Sequence, residues 1–177
     1  MEMEQNIYLL GFMGSGKSYI GARLAKALNF EWLDLDQLII DRNQMGIAQI
    51  FSNYGENYFR KEERAALHTT AGMEKYVISL GGGTPCFFDN MEWINRHGLS
   101  VFIDPSIAIL VHRLLPGRDK RPLIKNKSAE ELESFIQYKL EERRSFYEQA
   151  QVHFRQESLE EDGTQLLLNL LRKNLDG

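Results

Sequence analysis

Residues 7–28 read IYLLGFMGSGKSYIGARLAKAL, in which a short apolar run ends in glycines and is followed by apolar residues at helical spacing. The run Ile7–Leu10 is typical of a buried parallel strand, whereas Ile20, Leu24 and Leu28 would share one face of a helix. This stretch therefore predicts a strand, a glycine loop and a helix in direct succession.

The glycine loop matches the pattern G-x-x-x-x-G-K-[ST], with Gly11, Gly16, Lys17 and Ser18 at the specified positions. In this pattern backbone N–H groups surround an anion, the lysine reaches the β- and γ-phosphates, and the hydroxyl ligates Mg²⁺. A plain glycine-rich turn is the alternative, but the adjoining helix start favours a phosphate-binding loop. The predicted nucleotide-binding residues here are Gly14, Ser15, Gly16, Lys17, Ser18 and Tyr19.

The composition of the whole chain fits one ordinary globular domain over residues 1–177. It is 43% hydrophobic and 26% charged, which excludes disordered and fibrous classes. The net charge of −4 argues against a nucleic-acid partner, and no apolar run of about 18 residues indicates a transmembrane helix. The lone Cys86 excludes an internal disulfide, and the acidic start MEMEQ differs from a secretory signal. We therefore expect a cytoplasmic protein without membrane partners.

Strand and helix patterns alternate along the chain, which predicts a parallel sheet with helices on both faces. After the first strand, further strands are expected at FEWLDLD (30–36), YVISL (76–80), LSVFI (99–103) and VHF (152–154). Helices are expected over 36–43, 58–73, 104–115 and 128–150. In the third of these helices, Asp104 is the expected N-cap and Pro105 lies in the first turn.

The segment PGRDKRPLIKNK (116–127) interrupts this alternation. It is polar, basic and irregular, and it contains glycine and prolines. These features are typical of a mobile flap over a site.

Two carboxylates, Asp34 and Asp36, end the second predicted strand, at the sheet edge where ligands bind in open α/β folds. An i, i+2 pair on a strand points to one side. Asp34 is a candidate for holding Mg²⁺ through water, and Asp36 is a candidate base for an attacking hydroxyl. The alternative for Asp36 is a cap on the helix that begins at Gln37.

Three consecutive glycines, Gly81, Gly82 and Gly83, follow the third predicted strand. Close approach of a ligand to the backbone is the favoured reason for them, and a tight turn is the alternative. Ser79 just before them is a candidate neighbour of the Mg²⁺ shell. Arg60 lies in YGENYFRKEE (54–63), which is expected to begin with a glycine turn and to continue as a charged, amphipathic helix. When this stretch is read by itself, a solvated helix face is the favoured interpretation.

The motifs GFMGSGKS, DLDQLI, YGENYFRKEE, SLGGGTP, RPL and RRSFY occur in the order and spacing of the shikimate kinases, so the chain resembles that family over nearly its whole length. The resemblance implies a monomer that uses ATP and Mg²⁺ to phosphorylate the 3-hydroxyl of shikimate. This reaction gives shikimate 3-phosphate and ADP, in aromatic amino-acid (chorismate) biosynthesis. It also implies a three-layer α/β/α fold like that of the nucleoside monophosphate kinases, with a five-stranded parallel sheet of order 2-3-1-4-5.

The resemblance also implies roles for individual residues. Asp36 would contact the shikimate hydroxyls, Arg60 and Arg143 would bind the carboxylate, and Gly81–Gly83 would line the pocket. The acceptor would be bound by segment 34–62 and the lid would span 113–127. The implied catalytic residues are Lys17, Asp36 and Arg121, of which Arg121 also reaches the ATP phosphates.

Two positions depart from the family pattern. The spacing before RPL leaves the arginine at the nucleotide base open between Arg113 and Arg118. In RRSFY, Ser145 replaces the usual proline, and Arg143 is chosen over Arg144 by its four-residue offset from Tyr147.

Two other functions compete with this interpretation. A gluconate or nucleoside kinase would share the phosphate loop, and a regulatory NTPase could use LSVFID, ending at Asp104, as its metal-binding strand. Against the latter, Pro105 follows where an acid is usual, and NKSA lacks the last aspartate of a guanine-specific N-K-x-D box.

Overall fold

The structure, a computed structural model, describes residues 5–160 and 162–175. At its centre lies a five-stranded sheet of order β2-β3-β1-β4-β5 in which neighbouring strands are parallel, so the predicted order is confirmed. The strands are β1 (Asn6–Leu10), β2 (Glu31–Asp34), β3 (Tyr76–Ser79), β4 (Gly98–Pro105) and β5 (Val152–Gln156).

Helices cover both faces of the sheet. They are α1 (Lys17–Leu28), α2 (Leu35–Asn43), α3 (Ile47–Thr69), α4 (Asn90–His97), α5 (Ile107–Leu114), α6 (Ala129–Tyr147) and α7 (Gly163–Leu175). Short 3₁₀ turns occur at Thr70–Gly72, Thr84–Cys86, Leu115–Lys120 and Pro122–Ile124. Among the described helices, none is both long and apolar enough to cross a membrane.

The core lies in two apolar layers, one on each face of the sheet. Side chains alternate along β1, so Tyr8 and Leu10 join the layer that contains α2 to α6, while Ile7 and Leu9 join the layer of α1 and α7. All four side chains are fully buried. This double burial explains why β1 reads as a continuous apolar run.

The predicted start of α5 is wrong. Asp104 and Pro105 are the last residues of β4, where they pair with Arg155 and Gln156 of β5. The N-cap is Ser106, whose Oγ accepts a hydrogen bond from the backbone N–H of Ile109. Pairing between distant strands extends β4 past the position where local capping signals would end it.

The predicted start of α2 is wrong as well. The strand β2 stops at Asp34, whose Oδ1 accepts hydrogen bonds from the backbone N–H groups of Asp36 and Gln37. Asp34 is therefore the cap, and Asp36 lies in the first turn of the helix rather than on the strand. The two carboxylates reach one site from a strand end and a helix start.

The remaining differences are additions. Within α3 the backbone leaves helical geometry at Gly55 (φ 79°, ψ 174°), the glycine of the segment 54–63, and a further helical stretch precedes it from Ile47. The helices α4 and α7 were not predicted. By contrast, α6 matches its prediction closely, because Ser128 and Glu131 form a reciprocal capping box at its start.

Candidate active site

The phosphate loop runs from the end of β1 to the start of α1. Gly11 has φ 144°, and a Cβ there would lie 2.5 Å from the carbonyl oxygen of Ile103 in β4, so only glycine fits. Gly16 is the N-cap of α1 and supplies no side-chain acceptor. The backbone N–H groups of the first turn are thus available to an anion in the loop.

Lys17 lies folded over this loop. Its ammonium donates to the carbonyl oxygens of Gly11 and Phe12, each at 2.9 Å, and is 3.4 Å from Ser15 Oγ. Burial lowers the pKa of Lys17 to about 8, although the carboxylates of Asp36 and Asp34 oppose the shift. Phosphate oxygens would offer this cation stronger acceptors than the loop carbonyls do.

Ser18 and Asp34 form a pair of oxygen ligands beside the loop. The Ser18 hydroxyl donates to Asp34 Oδ2 at 2.7 Å. In the described part of the chain, no cluster of three or more histidine, cysteine or acidic side chains could hold a metal by itself. One carboxylate and one hydroxyl fit Mg²⁺, which usually completes its shell with phosphate oxygens and water.

Ser79, the third predicted metal neighbour, is buried at the end of β3. Its hydroxyl donates to the carbonyl oxygen of Lys17 at 3.0 Å and accepts from Trp32 Nε1 at 3.1 Å. These bonds connect β2, β3 and the start of α1. Its place in the Mg²⁺ shell stays a prediction.

A cavity of about 400 Å³ opens next to the loop. It brings together every residue predicted to bind the acceptor, and the lid arginine Arg121 reaches its rim. The lining consists of Met13, Asp36, Ile47, Phe51, Phe59, Arg60, Glu63, Gly81, Gly82, Gly83, Arg121, Pro122, Leu123 and Arg143.

The Asp36 carboxyl group carries an altered acidity in this cavity. Burial, followed by the neighbouring carboxylates of Asp34 and Glu63, raises its pKa to about 6, against the pull of Lys17 and Arg60. A carboxylate with a pKa near neutrality is a better proton acceptor than an ordinary aspartate.

Arg60 presents an ordered guanidinium to the cavity. Its Nη1 donates to Glu63 Oε2 at 2.8 Å, and its Nε and Nη2 both donate to Glu56 Oε1 at 3.2 Å. Glu63 is buried and in turn accepts a 2.6 Å hydrogen bond from Thr84 Oγ1. Three of the five N–H groups of Arg60 are thus used, which leaves one on each terminal nitrogen for an anion.

The two adjacent arginines of α6, Arg143 and Arg144, lie in different surroundings. Arg143 lines the cavity and lies over the Phe12 ring, with Cζ 5.7 Å from the centroid. Arg144 instead forms an exposed ion pair with Glu148. The structure thus brings Arg143, the predicted residue, to the site.

The three glycines after β3 make room for the polar side chains of the site. A Cβ on Gly81 would lie 2.9 Å from Asp36 Oδ1, and one on Gly83 would lie 2.9 Å from both terminal nitrogens of Arg60. A Cβ on Gly82 would lie 3.3 Å from Arg143 Nη1. Within the described structure, side chains of the site come close to this backbone. The predicted approach of a ligand stays a prediction.

A second cavity, of about 470 Å³, lies on the other side of the loop. Arg113 lies in its wall, where Nη1 donates to the Ser15 carbonyl and Nη2 to Gln156 Oε1, both at 2.9 Å. Arg118 instead donates to the Leu115 carbonyl within the lid. The lining is formed by Gly16, Tyr19, Ile20, Arg113, Gln156, Leu159, Glu160, Asp162 and Gly163.

Sequence reasoning missed Glu63, Thr84 and the wall formed by Gln156 and Leu159. The helical i, i+3 spacing of Arg60 and Glu63 is a signal that could have found the first of them. The others depend on contacts between distant segments and carry no local signal.

Comparisons with known proteins identify the family of this chain. A sequence model of the shikimate kinase family matches residues 13–172. The shikimate kinase of Phocaeicola vulgatus is 43% identical over 171 residues, which are 96% of this chain and 98% of that protein. The 1.7 Å crystal structure of the Bacteroides thetaiotaomicron shikimate kinase has a TM-score of 0.89 and 40% identity, and the match covers 96% of this chain and 99% of that chain. The Acinetobacter baumannii shikimate kinase, solved in complex with shikimate, has a TM-score of 0.84 and 30% identity, with 99% and 95% covered. The chain therefore belongs to the shikimate kinase family.

Proposed function

We propose that this chain transfers the γ-phosphoryl group of ATP to the 3-hydroxyl of shikimate, giving shikimate 3-phosphate and ADP in aromatic amino-acid (chorismate) biosynthesis. The observation that carries the proposal is the cavity beside the phosphate loop, which holds Asp36 together with Arg60 and Arg143. The hydroxyls of shikimate would meet the Asp36 carboxylate, and the carboxylate of shikimate would meet Arg60 and Arg143. Family membership and a relative solved with shikimate support this choice of acceptor.

The chemistry follows from positioning and charge. Arg60 and Arg143 hold the substrate carboxylate, which turns the 3-hydroxyl towards the loop. The hydroxyl oxygen bonds to the γ-phosphorus, its proton passes to Asp36, and the bond to the β–γ bridging oxygen breaks to release ADP. Lys17 and Arg121 stabilise negative charge on the phosphates.

Mg²⁺ would be held by Ser18 and Asp34, with Ser79 beside its shell, and would supply further charge neutralisation at the β- and γ-phosphates. We place the nucleotide base against Arg113, because Arg113 lines the second cavity, whereas Arg118 is not among the described residues of that lining and donates to the Leu115 carbonyl instead. Gly14, Ser15, Gly16 and Tyr19 complete the proposed ATP site.

One domain over residues 1–177, working as a monomer in the cytoplasm, suffices for this mechanism. Support comes from the described residues of a single chain, which supply both cavities. Within that domain, segment 34–62 would bind the acceptor and segment 113–127 would act as the lid.

The direct test measures ADP release with shikimate, with gluconate and without an acceptor, together with ³¹P NMR of the product. Shikimate is expected to stimulate ADP release and to yield one new phosphomonoester signal. Stimulation by gluconate instead would identify a different acceptor. ADP release that is equally fast without an acceptor would indicate a regulatory NTPase.

A further inference from the structure

The face of the Arg60 guanidinium is covered by an aromatic ring that does not line the cavity. The centroid of the Phe87 ring lies 3.9 Å from Arg60 Cζ, and the Phe59 ring lies at 5.0 Å. Among the described residues, the Phe87 contact is the shortest between an arginine and an aromatic ring. Phe87 is absent from the described lining of the acceptor cavity, so its contact with the site runs through Arg60.

The turn after the glycines holds Phe87 in this place. The backbone N–H of Cys86 donates to the Gly83 carbonyl at 2.9 Å, and the buried Asn90 side chain donates to the Thr84 carbonyl at 2.9 Å. The backbone N–H of Asn90 also donates to the Phe87 carbonyl. The Phe87 ring is thus presented from a turn closed by hydrogen bonds on both sides.

The same turn touches Arg60 and its ion-pair partner. A side chain on Gly83 would collide with the Arg60 guanidinium, and Thr84 donates to Glu63. Glu56 and Glu63 accept hydrogen bonds at the edge of the guanidinium and so restrain its position within its own plane. A ring packed on the face of the guanidinium restrains rotation of that plane. A cation over an aromatic face is attracted by the ring quadrupole, and the attraction grows when both groups are partly desolvated.

We propose that Phe87 is a positioning residue for acceptor binding, which orients Arg60 so that its two remaining N–H groups meet the substrate carboxylate. The inference rests on the proposed function, because it takes Arg60 to be a carboxylate-binding group. Stacking uses the face of the guanidinium and leaves its N–H edge to the ligand, so the ring adds order without occupying a donor.

The test compares three variants by steady-state kinetics. Phe87→Leu keeps an apolar side chain and removes the aromatic face, and Phe87→Tyr keeps the face. Phe88→Leu is the matched control, since Phe88 is exposed and stacks on Arg64 outside the cavity. Phe87→Leu should raise the KM for shikimate about 3- to 30-fold, with kcat and the KM for ATP within about twofold of wild type. Phe87→Tyr and Phe88→Leu should leave all three parameters within about twofold.

A second readout does not depend on the reaction. In the side-chain ¹H–¹⁵N NMR spectrum, the Arg60 Nε–H signal should be shifted by the ring current of Phe87. That shift should be lost in Phe87→Leu and kept in Phe88→Leu, with the signal assigned by its absence in Arg60→Lys.

Four results would overturn the proposal. Two concern the kinetics of Phe87→Leu: an unchanged KM for shikimate, or a KM for ATP that rises as much as the KM for shikimate. The others are a KM for shikimate that rises as much in Phe87→Tyr as in Phe87→Leu, and an Arg60 Nε–H signal that does not move in Phe87→Leu. Wild-type enzyme that fails to phosphorylate shikimate would refute the proposed function instead, while the NMR arm would still report on the stacking itself.

Discussion

The Ser18 hydroxyl donates a 2.7 Å hydrogen bond to Oδ2 of Asp34, and Oδ1 of the same carboxylate caps α2. One carboxylate therefore joins the first turn of α1 to the first turn of α2. The capping role needs only an oxygen acceptor, whereas a role towards Mg²⁺ needs the negative charge as well. The two roles of Asp34 are thus separable by substitution.

The first prediction compares Asp34→Asn with Asp34→Ala. Asp34→Asn keeps a capping oxygen and removes the charge, so it should raise the Mg²⁺ concentration for half-maximal activity about tenfold or more while thermal stability changes little. Asp34→Ala should show the same Mg²⁺ effect and also lose about 1 kcal/mol of unfolding free energy. Mg²⁺ titrations of activity and thermal unfolding check both. An unchanged Mg²⁺ requirement in Asp34→Asn would remove Asp34 from the proposed metal site.

The second prediction concerns the pH dependence set by Lys17. Its pKa of about 8 means that the unliganded enzyme loses this positive charge as pH rises through 8. The value of kcat/KM for ATP should therefore fall above about pH 8, because it reports the free enzyme. Bound phosphates favour the ammonium, so kcat at saturating ATP should stay level to higher pH. An upper limb at the same pH in both profiles would assign it to another group.

The third prediction concerns Asp36, whose pKa is raised from 3.8 to about 6. Its base role requires the ionised form, so kcat/KM for shikimate should fall below about pH 6. Asp36→Asn should lower kcat about 10²- to 10⁴-fold and abolish that limb, with ATP binding little changed. Turnover within a few-fold of wild type would leave Asp36 as an orienting group only.

The same substitution should affect stability with a definite sign. The folded protein binds the Asp36 proton more tightly than the unfolded chain, so stability falls as pH rises from about 4 to about 6. At pH 7 the ionised carboxylate costs up to about 3 kcal/mol, and Asp36→Asn should unfold at a higher temperature than wild type. Below about pH 4 the difference should vanish, because the carboxyl is protonated in both states. Equal melting temperatures at pH 7 would contradict the raised pKa.

Local patterns predicted those parts of the fold that depend on neighbouring residues. The strand, loop and helix over 7–28 form one contiguous pattern, and the structure reproduces it. The predicted N-caps of α2 and α5 each lie two residues from the observed ones, Asp34 and Ser106, because several residues able to cap a helix stand close together there. The choice between them is made by strand pairing, such as that of β4 with β5.

The support behind the site escaped prediction for a related reason. Thr84 and Glu63 are 21 positions apart, and their hydrogen bond exists only because α3 packs beside the turn after β3. Phe87 reaches Arg60 through the same packing. No periodicity or motif marks such pairs, although the run Gly81–Gly83 indicates that some group approaches the backbone there.

The fourth prediction tests the arginine pair that binds the acceptor. Arg60→Ala or Arg143→Ala removes charge-assisted hydrogen bonds of roughly 1.5 to 3 kcal/mol each, so the KM for shikimate should rise about 10- to 100-fold and the KM for ATP much less. Arg144→Ala is the matched control, because Arg144 pairs with Glu148 at the surface. An analogue with an alcohol in place of the carboxylate should bind wild type and the two variants alike. An equal rise in the KM values for shikimate and ATP would reject the proposal that Arg60 and Arg143 bind the shikimate carboxylate.

The last prediction concerns Arg121 in the lid. Its side chain is exposed, and Nη1 donates to the Gly117 carbonyl at 2.9 Å, while Arg121 also lines the rim of the acceptor cavity. Among the described residues, the hydrogen bond of this guanidinium goes to a lid carbonyl, so the group is available to a stronger acceptor, which a transferring phosphoryl group would supply when the lid closes. Arg121→Ala should then lower kcat about 10³-fold, the scale of an arginine finger, while ADP affinity falls only a few-fold.

Lys125→Ala is the control for this experiment, because Lys125 is an exposed cation of the same segment. Screened surface charges contribute little individually, so kcat in Lys125→Ala should remain within about twofold of wild type. Steady-state kinetics and calorimetric titration with ADP measure both quantities for each variant. A loss of ADP affinity that matches the loss of kcat in Arg121→Ala would make Arg121 a ground-state ligand of the nucleotide. Unchanged turnover would exclude Arg121 from the transition state and leave Lys17 as the cation that meets the phosphates.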